Sequence, residues 1–219
     1  MRVHTRDHVA GTARMIRHRD HLVVFARAPE LGRVKTRLAA ELGPVRALEI
    51  YRQLGERVTH ALRDGPAHVV IAHEPPGAAP VMRAWLGDGL DYEPQSDGDL
   101  GTRMAQAMTA RILAGAERIV VIGTDCPSVT AETITGAFAA LDEADVVFGP
   151  ALDGGYYLIG AREAHTCLFH DIPWSTAHTL DVSLARARAA GLHVALLPPM
   201  RDIDTAADWR AYEETSAGA

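Results

Sequence analysis

Cysteine is nearly absent: 219 residues hold only Cys126 and Cys167. Two cysteines without metal-ligand spacing give neither a disulfide framework nor a thiolate site, so the plain expectation is a reducing, cytoplasmic setting. The eleven histidines are scattered without a zinc-like cluster and read as surface or core residues. No apolar run approaches the length of a membrane span. Residues 1–20 are rich in Arg and His and lack the apolar segment of a signal peptide, so they read as a flexible or loosely packed extension, expendable for chemistry. Aromatics are few at 5%, and no internal repeat or low-complexity block stands out. Positive charge is also short: a net charge of -6 argues against nucleic acid or an anionic membrane as the main partner. Two phosphate-binding signatures are missing. Gly32 stands outside a G-x-x-x-x-G-K-S/T frame and no G-x-G-x-x-G follows, so P-loop ATP hydrolysis and a dinucleotide fingerprint are both unsupported.

What is present is a core-forming chain, 47% hydrophobic, most simply one large domain over residues 21–216. Its centre is Arg118 to Val129. The run Ile119 to Ile122 is continuously apolar and β-branched, which suits a strand covered on both faces of a parallel sheet. Gly123 and Pro127 stop it, leaving Asp125 just past the strand's carboxyl end, in the crevice where open α/β sheets bind ligands. A carboxylate there can hold a divalent cation against a phosphate, or can simply satisfy turn amides. Thr130 is placed to cap the next helix, with Glu132 in its first turn.

Upstream, His21 to Ala28 reads as a first strand. The turn that follows carries Arg27, Arg33, Lys35 and Arg37, a cationic cluster at a strand's carboxyl end that can present charge to a polyphosphate; a solvated basic turn is the plainer alternative. Leu48, Tyr51, Leu54, Val58 and Leu62 recur at helical spacing and predict an amphipathic core helix over residues 44–63. The polar loop from Pro94 offers Gln95 for base-edge recognition, and Gly98 and Gly101 for close backbone approach to a flat ligand, while Asp99 reads as a helix N-cap. Asp153-Gly-Gly is an acidic turn beside the presumed cleft or an ordinary hairpin turn. Trp174 can form a wall, with Ser175 or Thr176 capping a helix from about Ala177. Near the end, Thr205 and Asp208 fit a capping pattern that fixes Asp204 just outside a helix start. Repulsion from Asp202 would burden Asp204 unless a cation or Arg201 relieved it, which makes Asp204 a candidate second metal ligand.

In this order, Phe-Ala-Arg-Ala-Pro-Glu-Leu-Gly-Arg-Val-Lys-Thr-Arg-Leu, Gly-Asp-Leu-Gly-Thr-Arg-Met, Ile-Gly-Thr-Asp-Cys-Pro-Ser, Asp-Gly-Gly-Tyr-Tyr-Leu-Ile-Gly, Ile-Pro-Trp-Ser-Thr and Asp-Ile-Asp-Thr resemble the glycosyltransferase A-type nucleotide-diphospho-sugar transferase superfamily. The likeness runs to a bacterial glycosyltransferase-like branch, and the Lys-Thr-Arg-Leu and terminal Asp-Thr segments also resemble phospholactate and molybdenum-cofactor guanylyltransferases. The resemblance implies a single-domain three-layer αβα sandwich with a mostly parallel mixed sheet. It implies catalytic roles for Lys35, Arg37 and Asp125. Nucleotide contacts would come from Ala26, Arg27, Arg33, Lys35, Gln95, Gly98, Leu100, Gly101 and Thr124. The acceptor would meet Asp153, Gly154, Tyr156, Trp174 and Ser175, and Mg2+ or Mn2+ would lie on Asp125 and Asp204. Thr-Asp-Cys stands where a glycosyltransferase has Asp-x-Asp. The single carboxylate favours a metal shared with Asp204 and hence nucleotidyl transfer from a nucleoside triphosphate to a small phosphorylated acceptor, with pyrophosphate released. Sugar transfer from a nucleotide sugar, with Asp153 as base, and a non-catalytic nucleotide-binding protein are the alternatives. The partners implied are a nucleotide and a small-molecule acceptor, and an oligomer is compatible with all of this.

Overall fold

The computed structural model describes residues 19–65 and 67–216. Residues 1–18 of the expected extension lie outside that range, whereas Arg19 and Asp20 are built into the sheet. The Arg19 carbonyl accepts the amides of Glu117 and Arg118, and the Asp20 carboxylate sits 2.7 Å from the Arg118 guanidinium. The first described strand thus opens just before His21, where the first apolar residues set the expected boundary; a polar strand end carries no hydrophobic signal.

Seven strands form one sheet: β1 (Asp20–Arg27), β2 (His68–Glu74), β3 (Asp91–Pro94), β4 (Arg118–Ile122), β5 (Val146–Pro150), β6 (Tyr156–Ala161) and β7 (Val194–Leu196), in the order β3-β2-β1-β4-β6-β5-β7. Every pairing is parallel except those of β6, which runs antiparallel between β4 and β5. The continuous apolar run of β4 is therefore flanked on both edges and covered on both faces, with residues 119–122 no more than 3% exposed. Helices α1 (Thr36–Leu42), α2 (Pro44–Arg63), α3 (Ala79–Leu86), α4 (Leu100–Leu113), α5 (Ala131–Ala140), α6 (Thr179–Ala189) and α7 (Ala206–Ser216) complete the α/β sandwich.

The two faces of the sheet follow the alternation of strand side chains. From β1, Leu22 and Val24 join a core with Val58 of α2, Met82 of α3 and Phe138 of α5. Val23, between them, points to the opposite core with Met108 of α4 and Leu184 of α6. At roughly 1.5–3 kcal/mol for each large apolar side chain buried, these two cores dominate folding. A smaller third cluster is the one that organises the site. Leu38 of α1 and Ile50 and Leu54 of α2 pack against Ile203, Ala206 and Trp209. This draws the end of the chain onto the turn that follows β1.

Local caps form where the side-chain chemistry demands them. Thr130 and Thr133 close a capping box on α5, and the Asp99 carboxylate accepts the Thr102 amide at the start of α4. Neither Ser175 nor Thr176 caps α6, which begins later than expected. The Thr176 and Thr179 hydroxyls both donate to the Pro173 carbonyl, forming a tight turn that delays the helix to Thr179.

Candidate functional site

β1 and β4 are parallel neighbours, so their carboxyl ends release the cationic turn and the Asp125 loop at the same edge of the sheet. The segment before α7 reaches the same place because the Ile203 amide donates to the Asp125 carbonyl at 2.9 Å, while the Ile203 side chain is anchored in the third cluster. Asp125 and Asp204 thereby face one point. It is taken by the Lys35 ammonium, 2.8 Å from Asp125 Oδ1 and 2.9 Å from Asp204 Oδ1, on a side chain only 5% exposed. Burial alone would push the Lys35 pKa down, but Asp125 and Asp204 together outweigh it and hold it above the ordinary lysine value. Lys35 sits in the left-handed region at φ 47, an uncommon conformation outside glycine that the surrounding contacts must hold.

Around this centre lies a cleft of about 550 Å3. Arg27, Arg33, Arg37 and Arg103 line it, with Arg37 3.6 Å from Asp204. Arg27 and Arg103 both donate to Glu74, and hydrogen bonding from Arg27 foremost holds the Glu74 carboxyl below its usual range despite partial burial. Ala26, Leu100 and Thr124 also face the cleft. Tyr51 reaches it from α2: its hydroxyl accepts the Arg27 amide and donates to the Arg27 carbonyl, and burial pushes its pKa up to about 12.

Three residues expected to meet the nucleotide behave differently. Gln95 lines the cleft, but its amide nitrogen is committed to the sheet, donating to the Ala72 carbonyl at 2.8 Å and the Ala26 carbonyl at 3.4 Å. Only its oxygen turns toward Arg103, at 3.4 Å. Gly98 is needed for the turn into α4, with φ 112, and a side chain there would press on Thr102. Gly101 makes room for its neighbours: a Cβ would lie 2.4 Å from the Phe169 carbonyl and 2.6 Å from the Trp174 ring.

A second cavity, of about 340 Å3, opens on the other side of Asp125. It is walled by Phe25, Tyr156 and Trp174 and carries Asp125, Asp153 and Asp202. Phe25, Leu100, Asp125 and Ser175 line both spaces, so the two adjoin. The β5–β6 hairpin brings Asp153 here, since antiparallel β6 starts beside the end of β4. The hairpin reading of that turn holds, with Asp153 Oδ1 accepting the Gly155 amide at 2.9 Å. Gly154 is required by packing: at φ 92, its Cβ would fall 2.1 Å from the Ala177 carbonyl. Tyr156 contributes its ring, held edge-on to Phe148 and Trp174. Ser175, at φ 60, is a second left-handed residue on the shared wall.

Asp202 escaped the sequence reading, which treated it only as a neighbour that repels Asp204. It turns into the second cavity, where one carboxylate oxygen is buried without a hydrogen-bond partner. Burial first, then Asp125 and Asp153, pushes its pKa up to about 7. Beside it the Cys126 thiol is pushed up to about 12, chiefly by burial and then by Asp202, which makes it a poor nucleophile. Glu74 and Arg103 were likewise unread, because their pairing crosses elements that no local pattern links.

Mg2+ is ordinarily held by one or two carboxylates together with substrate phosphates. Asp125 and Asp204 supply such a pair, and among the described residues no group of three His, Cys, Asp or Glu side chains is arranged to hold a metal unaided. Lys35 bridges the same two carboxylates, so a divalent ion arriving with phosphates would share Asp125 and Asp204 with its ammonium.

Residues 57–176 match a family described as "Uncharacterized protein conserved in bacteria (DUF2064)". A phosphoenolpyruvate guanylyltransferase of Chloroflexus aggregans is 30% identical over 122 residues, covering 53% of this chain and 59% of that protein. The chain therefore matches somewhat over half the length of that curated relative. A candidate nucleotide-diphospho-sugar transferase from Desulfovibrio desulfuricans G20 superposes with a TM-score of 0.86 at 33% identity, over 90% of this chain and 87% of that one. The Rv0371c protein of Mycobacterium tuberculosis H37Rv, in complex with manganese, shares the fold at a TM-score of 0.52 and 21% identity, over 90% and 99% of the two chains. With more than half of its length matched, the chain belongs to the DUF2064 family of bacterial proteins, built on a glycosyltransferase A-like α/β fold.

Proposed function

We propose that this protein is a nucleotidyltransferase that uses a nucleoside triphosphate as donor in the cleft around Lys35 and an acceptor in the adjoining cavity around Trp174. The observation that carries this reading is the convergence of Asp125, Asp204 and Lys35 inside a cationic cleft that shares a wall with a second cavity. The guanylyltransferase likeness of the Chloroflexus protein supports the same chemistry.

Lys35, Arg37 and Arg33 bind the triphosphate, and Arg27 and Arg103, both tied to Glu74, border it. An acceptor oxygen in the cavity attacks the α-phosphorus. The new P–O bond forms as the bond to the β-phosphate bridging oxygen breaks, and pyrophosphate leaves with the charge that Lys35 and Arg37 neutralise. Preorganised cations aimed at developing charge are the dominant form of catalysis in phosphoryl chemistry. A bound Mg2+ or Mn2+, held by Asp125 and Asp204, would add charge neutralisation and orientation of the phosphates. Base recognition rests on the Gln95 oxygen and Arg103, since the Gln95 nitrogen is spent on the sheet.

A second reading, glycosyl transfer from a nucleotide sugar, draws on the Desulfovibrio protein and on the Asp153 and Asp202 carboxylates facing the acceptor cavity. The leaving product separates the two. Pyrophosphate release from a triphosphate supports nucleotidyl transfer, a nucleoside diphosphate released from a nucleotide sugar supports the second reading, and tight nucleotide binding with neither product leaves a non-catalytic binding protein.

A further inference from the structure

The cavity that adjoins the donor cleft contains no Lys, Arg or His among the described residues that line it. Its charged side chains are Asp125, Asp153 and Asp202, all of one sign. Lys35 faces the neighbouring cleft and is already shared by two carboxylates. The first amides of α6 beside the cavity offer nothing to an anion either. The Thr179 amide donates to the Thr176 carbonyl and the Leu180 amide to the Gly154 carbonyl.

Resting on the reading of this cavity as the acceptor site, we infer that the acceptor is a small hydroxyl compound without phosphate or carboxylate, such as a polyol or an unphosphorylated sugar. A buried anion must be paired, and one placed here would meet the carboxyls of Asp153 and Asp202 with no cation among the described lining residues, the Lys35 ammonium being held by Asp125 and Asp204 in the neighbouring cleft. Hydroxyl groups are complementary instead. The buried carboxyl oxygen of Asp202 has no hydrogen-bond partner, and a substrate hydroxyl, which can both donate and accept, satisfies it in either protonation state. The Trp174 ring, edge-on to Tyr156 at 6.3 Å between centroids, provides a flat wall for the C–H face of such a molecule. Such an acceptor differs from the phosphorylated one that the guanylyltransferase resemblance implies. With a hydroxyl acceptor, the proton released as the new bond to phosphorus forms has a destination in the cavity, the Asp153 carboxylate.

The test uses the full chain with Mg2+ or Mn2+, a panel of nucleoside triphosphates and nucleotide sugars, and matched acceptors: glycerol against glycerol 3-phosphate, glucose against glucose 1-phosphate, and glucose against glucuronate. Nucleotide binding is measured separately by calorimetry, and products by mass spectrometry. The expected result is a kcat/KM at least tenfold higher for the uncharged member of each productive pair. Asp153→Lys, which puts a cation on the cavity rim, narrows that preference about tenfold. Equal or better transfer to the charged members overturns the inference, as does transfer to neither member by a protein that binds nucleotide. Absence of any nucleotide binding instead removes the donor-cleft reading, and this inference with it.

Discussion

The cleft around Lys35 and the cavity around Trp174 meet at Asp125 and Ser175, yet their chemistry is opposite. Four arginines and a lysine line the first, balanced by Glu74, Asp125 and Asp204. The second has carboxylates and aromatic rings and, among the described residues, no cation. The difference follows from where each is built. The cationic side takes its charge from one turn after β1, close in sequence, with Arg103 added from α4. The other side is assembled from the end of β4, the β5–β6 hairpin, the segment before α6 and the segment before α7. One half of the site is therefore a local motif and the other a product of tertiary packing.

Substitutions that touch one side alone should break this comparison cleanly. Asp125→Asn strikes both and carries the largest expected effect, a loss of about 10²–10³ in kcat/KM in steady-state assays, the size seen when a preorganised electrostatic group is removed. Gly154→Ala comes next. A Cβ at φ 92 pressed against the Ala177 carbonyl should cost about 1–3 kcal/mol in denaturant unfolding and disturb only the acceptor cavity. Trp174→Ala should lower kcat/KM for the acceptor about tenfold, or ~1.4 kcal/mol, while donor affinity measured by calorimetry stays within about twofold. The smallest effect is on stability against pH. Glu74 has a folded pKa below its unfolded one, so its pairing with Arg27 and Arg103 contributes above the unfolded value and is lost as pH falls through the folded value. These side chains are partly exposed, so the loss is below about 1 kcal/mol, and Glu74→Gln should flatten the acid limb of the stability profile by that amount.

The same division decided what could be read from the sequence. The span and face of α2 were legible because Leu48, Tyr51, Leu54, Val58 and Leu62 repeat at the helical period. The double coverage of β4 was legible because its apolar run does not alternate. Asp99, Thr130 and Thr205 announced helix starts through local chemistry. Asp202 was illegible because the segment before α7 has no regular period: Asp202 turns to the cavity, Ile203 to the core and Asp204 to Lys35. Periodicity placed the Tyr51 ring in the core but could not say that its hydroxyl grips the Arg27 backbone. Gly98, Gly101 and Gly154 stand out in the sequence as glycines, yet what packs against them is side chains and backbone that only the assembled fold supplies.

Lys35, as the cationic centre of a phosphate-binding cleft, is the residue on which the proposed chemistry turns. Calorimetric titration of a Mg2+-nucleoside triphosphate and of the matching nucleoside into wild type and Lys35→Met tests this directly. The account predicts more than tenfold weaker triphosphate binding with nucleoside affinity within about twofold. Unchanged triphosphate affinity, or equal loss for both ligands, would contradict it.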